Sequence, residues 1–105
     1  MKIEYTPESL RDLQKIREII IDRFMDEKIA VKVQKDITQS IRKLEIFPNM
    51  GEDLSETVKA GEGYRFLFCR KNYIFYRIEG DTVKIVRILN EKREFVRILF
   101  GIIEE

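Results

Sequence analysis

The chain has 105 residues, 44% hydrophobic and 37% charged, with a net charge of +1; this is the length of one domain, and apolar enough to fill a core rather than stay disordered. One cysteine and no histidine exclude an internal disulfide, a Ser–His or Cys–His nucleophile pair and a conventional zinc site. No run approaches the roughly 20 apolar residues of a membrane span, and the opening Met1-Lys2-Ile3-Glu4-Tyr5 carries no apolar leader, so a cytoplasmic protein with no cofactor, metal or membrane attachment is expected.

Ile3 and Tyr5 alternate with Lys2 and Glu4, which predicts a short strand. Thr6-Pro7-Glu8 is a helix start: a capping hydroxyl, a ring suited to the first helical position and a carboxylate at the positive end of the dipole. Leu10, Leu13, Ile16, Ile20 and Phe24 then predict one apolar face of a helix over residues 7–25. After Asp26-Glu27-Lys28, a second helical pattern runs through Ile29, Val33, Ile37, Ile41 and Leu44, so the two helices form an antiparallel hairpin. Phe47-Pro48 ends it and Asn49-Met50-Gly51 turns the chain. Residues 52–62 read as a loop with a short strand near Thr57–Lys59.

Aromatic and β-branched runs follow at 64–69, 73–78 and 82–89, separated by Arg70-Lys71-Asn72 and Glu79-Gly80-Asp81. They predict an antiparallel meander. Asn90 is placed to cap a last short helix with Phe95, Ile98 and Leu99 on its buried side. Residues 1–105 therefore form a single α+β domain: an N-terminal strand and a two-helix hairpin packed on a small antiparallel sheet, with a short C-terminal helix.

Charge is unevenly spread. Residues 1–58 hold ten basic and twelve acidic side chains, whereas residues 59–97 hold ten basic and five acidic. Arg65, Arg77, Arg87, Lys92 and Arg93 fall in the second group, and strand alternation offers to gather the strand arginines on one face. A guanidinium binds phosphate through a planar fork but cannot act as a base. The plainer expectation is that these arginines pair with Glu56, Glu79, Glu91 or Glu94 at the surface. Tyr64, Tyr73 and Tyr76 have the chemistry to stack or donate hydrogen bonds, though in a small sheet tyrosines serve chiefly as core. Cys69 reads as a core thiol, and Gly61-Glu62-Gly63 as a turn, since no phosphate-binding lysine and helix follow it.

In order and spacing, the chain resembles the RelE/ParE family of type II toxin–antitoxin toxins. The resemblance rests on Tyr5-Thr6-Pro7 with Asp12-Leu13 and Ile16, on Leu44-Glu45-Ile46-Phe47-Pro48-Asn49-Met50-Gly51, on Tyr64-Arg65, on Asn72 through Arg77, on Val86-Arg87-Ile88-Leu89 and on Lys92-Arg93-Glu94-Phe95. It implies a toxin neutralised by a cognate antitoxin whose C-terminal segment wraps it as a helix or added strand. The tail Phe100-Gly101-Ile102-Ile103 is expected to dock on the core. ParE-like members inhibit DNA gyrase, whereas RelE-like members cleave messenger RNA on the ribosome. The absence of histidine and the near-neutral charge favour the first activity here, without nuclease chemistry. The resemblance places target binding on Arg65, Arg87, Lys92, Arg93 and Tyr73. In the alternative, RelE-like case, Arg65, Arg87 and Arg93 would carry catalysis on the scissile phosphate.

Overall fold

A computed structural model describes residues 1–101. Strand β1 (Lys2–Tyr5) leads into helix α1 (Pro7–Phe24) and helix α2 (Glu27–Arg42). The Thr6 hydroxyl accepts from the Ser9 N–H at 3.1 Å and donates to the Val86 carbonyl at 2.8 Å, so it both caps α1 and ties it to the sheet. Met25, in the left-handed region at φ 52°, closes α1. Asp26 accepts from the Lys28 N–H at 2.9 Å and opens α2. The hairpin connector is these two capping residues and nothing more.

The remaining elements are β2 (Glu52–Asp53), β3 (Tyr64–Cys69), β4 (Asn72–Glu79), β5 (Thr82–Asn90) and α3 (Phe95–Phe100). They make one five-stranded sheet in the order β1-β5-β4-β3-β2. The three-stranded meander is as expected, but β1 joins β5 in parallel, which makes the sheet mixed. Geometry explains this: the helical hairpin carries the chain across the sheet, so β1 and β5 run the same way. The early loop holds its strand at Glu52–Asp53, not near Thr57–Lys59; 3-10 turns at Leu54–Glu56 and Lys59–Gly61 fill the rest. Asn90 does not cap α3. Its side chain accepts from the Lys92 N–H at 3.0 Å, and α3 starts five residues later, after Glu94.

One sheet face packs on the hairpin. Val33, Ile37, Ile41 and Leu44 meet Ile74, Tyr76, Val83, Ile85 and Ile88, with Leu13, Ile16 and Ile20 of α1 completing the layer. Fully burying each large aliphatic contributes about 1.5–3 kcal/mol. Three residues expected on the buried faces, Leu10, Phe24 and Ile29, are exposed; Ser9, Asp12 and Ala30 take the buried positions instead. The opposite face carries Leu54, Phe75 and Leu89, on which Phe95, Ile98, Leu99 and Phe100 of α3 pack. Phe100 thus docks as expected of the tail; Ile102 and Ile103 lie outside the described residues. Among the described residues no helix is long and apolar enough to cross a membrane.

Candidate functional site

α3 covers only part of the outer sheet face. Beside it lies a groove of about 490 Å³ lined by Met50, Leu54, Phe66, Phe68, Tyr73 and Phe95 among others. Its floor is an aromatic cluster in which Tyr73 contacts Phe66, Phe68, Phe75 and Phe95 at centroid separations of 5.5, 5.1, 5.7 and 5.7 Å. Phe68 is 53% exposed. Alternation along β3 and β4 produces this floor: Phe66 and Phe68 stand across from Phe75 and Tyr73 on one face, while Leu67 and Ile74 point to the hairpin side.

A basic rim adjoins the groove. Arg70 and Lys71 form the β3–β4 turn with φ of 53° and 62°, a two-residue hairpin in which both positions require the left-handed region. The Glu91 N–H donates to the Lys71 carbonyl at 2.8 Å, which brings Lys92 and Arg93 to the same end of the sheet as Lys71. All three cations are exposed. Of the five residues expected to bind the target, Tyr73 lines the groove, and Lys92 and Arg93 are exposed at the sheet end where the β3–β4 turn lies.

Arg65 and Arg87 do not join it, and the expected gathering of strand arginines is not what the fold makes. Arg87 donates through Nε and Nη2 to the Asp12 carboxylate at 2.8 and 2.9 Å. Asp12 also accepts from the Ile88 N–H at 2.9 Å. β1 pairs with β5 only as far as Ile85, so the carboxylate satisfies a β5 amide beyond the end of that ladder. Val86 has no partner across β4 and forms a bulge there: Ile85 faces Tyr76 and Arg87 faces Phe75. The hydrogen bonds to Asp12 raise the pKa of Arg87 further, against the effect of burial. Arg65 donates through Nη1 to the carbonyls of Gly51 at 2.7 Å and Asn49 at 3.3 Å. Tyr76 completes that clasp: its hydroxyl donates to the Pro48 carbonyl at 2.7 Å and accepts from the Gly51 N–H at 3.0 Å. A Cβ at Gly51 would sit 2.5 Å from the Tyr76 Oη and 2.8 Å from the Phe66 carbonyl oxygen, so only glycine allows this approach. Arg77 lies over the Tyr64 ring at 4.6 Å. Two of the four expected glutamate partners are engaged elsewhere, Glu79 with Lys84 and Glu94 with Arg97.

Asp12 and Tyr76 are the structural residues that pattern reading undervalued. The signal for Asp12 was available: one carboxylate on the apolar face of α1 demands a buried partner. The groove residue Phe68 had no such signal, because exposed and buried aromatics look alike in a strand.

The family model described as "ParE toxin of type II toxin-antitoxin system, parDE" matches residues 3–95. Among solved structures, the chain is similar to one from the chromosomal ParDE toxin–antitoxin system of P. aeruginosa, with 23% identity and a TM-score of 0.72 over 86% of this chain and 95% of that one; this likeness shows the α+β fold. No curated protein matches.

Proposed function

Because the chain belongs to the ParE toxin family of type II toxin–antitoxin systems, and so is a toxin paired with an antitoxin protein, we propose that it acts in the cytoplasm by binding DNA gyrase rather than by cutting messenger RNA. The observation that carries this reading is the engagement of Arg65 and Arg87, two of the three arginines on which nuclease chemistry would rest. Cleaving RNA requires a cation free to follow charge onto the phosphorane and a group to move protons. Arg87 is closed on Asp12 and Arg65 on the 49–51 turn, and the sequence contains no histidine. What stays open is an aromatic groove with a cationic rim, a surface suited to an apolar protein patch bordered by acids. In this reading Tyr73, Lys92 and Arg93 touch the target, while Arg65 and Arg87 hold the strands and turn that present them.

Primer extension on transcripts from cells expressing the chain without its antitoxin tests the choice. Intact transcripts accompanied by gyrase-dependent DNA breaks are expected. Discrete cuts within codons would transfer the protein to the ribosome-dependent nuclease reading. Arg93→Ala is expected to reduce toxicity; a folded variant with full toxicity would remove Arg93 from the contact set.

A further inference from the structure

We propose that the exposed face of α2 binds the phosphate backbone of double-stranded DNA, at a site separate from the groove and independent of the gyrase reading. Lys28, Lys32, Lys35, Gln39 and Arg42 recur at alternating spacings of four and three residues, which lays them in one ridge along about 21 Å of helix. All are exposed, and Lys43 follows directly. A shallow depression lined by Lys28, Val31, Lys32, Lys35 and Gln39, together with Glu27 and Asp36, runs along the ridge.

The helix's own carboxylates do not neutralise it. Glu27 is held by Arg17 of α1. Asp36 accepts from Arg70 at 2.8 and 2.6 Å. Among the described residues, none of Lys28, Lys32, Lys35, Arg42 or Lys43 has an ion-pair partner. Lys28 and Lys32 stand one turn apart, as do Lys32 and Lys35, and such like-charge neighbours weaken a helix. A line of phosphates relieves that repulsion.

The chemistry of the ridge selects the ligand. Val31 is its one apolar contribution, and lysine is depleted from the cores of protein–protein interfaces. Long, mobile ammonium groups suit phosphates instead, as point charges without base preference. The ridge has no aromatic side chain on which an unpaired base could stack, so the duplex backbone fits better than a single strand.

Fluorescence anisotropy of the full chain with a short labelled duplex of mixed sequence tests the proposal. Three to four phosphate contacts predict that raising salt from about 50 to about 200 mM weakens binding roughly 40- to 150-fold. The triple variant Lys28→Gln, Lys32→Gln, Lys35→Gln should lose most of this salt dependence and bind at least about tenfold more weakly at low salt. Its circular dichroism should be unchanged and its thermal midpoint equal or higher, because repelling surface charges are removed and no core contact is touched. Absence of duplex binding at low salt would overturn the proposal. Unchanged binding by the triple variant would move the contact to the Lys71, Lys92 and Arg93 end and overturn it equally. Tighter binding to a polyglutamate peptide than to a duplex of the same charge would identify an acidic protein as the partner, and that also contradicts it.

Discussion

Asp12 does three jobs with one carboxylate: it lies on the buried face of α1, pairs with Arg87 and accepts from a β5 amide that no strand covers. Removing it leaves a guanidinium at 23% exposure and an amide without a partner. Asp12→Ala should therefore cost about 2–3 kcal/mol in urea unfolding. Asp12→Asn should cost less, because an amide oxygen still accepts from Ile88; equal losses would show that the amide bond contributes nothing. Tyr76 is the second such residue. Burial lifts its pKa above the ordinary 10.0, against the Gly51 N–H and Arg65, which act to lower it. The folded state then holds the phenolic proton more tightly than the unfolded chain does. The associated stability is fully present below the unfolded pKa and is lost as pH rises from about 10 through the folded value. Tyr76→Phe should cost about 1–2 kcal/mol at neutral pH and flatten the alkaline decline measured by unfolding titrations. Tyr5, also raised by burial, should keep part of that decline.

At the scale of elements, the helices were the most legible part of the chain. Thr6 and Pro7 mark the start of α1 by local chemistry, and Ile37, Ile41 and Leu44 mark the buried face by period, all as the fold uses them; Asp26, read only as part of the connector, turns out to cap α2. Strands β3, β4 and β5 were legible for the same reason. The parallel partner of β5, the placement of β2 and the late start of α3 depend on tertiary contacts that leave no local pattern. The β3–β4 turn is the informative departure. Arg70 and Lys71 occupy left-handed positions where glycine or asparagine is the usual choice, at a cost of roughly 1–2 kcal/mol per residue. Strain of this kind persists where the side chains have a use, and here it keeps a cation beside the groove. Lys71→Gly should raise stability by about 1 kcal/mol in thermal or urea unfolding while reducing toxicity. A variant that is more stable and fully toxic would remove Lys71 from the rim.

On the scale of the whole molecule, the fold separates two charged surfaces. The groove and its rim sit on the outer sheet face and the sheet end where Lys71, Lys92 and Arg93 meet, while the α2 ridge lies on the far side of the helical layer. Counting charge along the chain points to residues 59–97, yet it hides the ridge, because α2 intersperses its lysines with Glu27 and Asp36 and only the ion pairs to Arg17 and Arg70 uncover them. The same counting overstates the strand arginines, two of which are used in building the fold. The central claim is that a toxin with Arg65 and Arg87, two of its three candidate phosphate-binding arginines, already engaged acts on a protein. Incubating the purified chain with gyrase and supercoiled plasmid, followed by denaturation and digestion of protein, tests it most directly. Linear plasmid should accumulate only when gyrase is present, and the double variant Lys92→Ala, Arg93→Ala should suppress it. Plasmid left unchanged by a folded chain that arrests growth, together with cut messenger RNA on ribosomes, would contradict the claim.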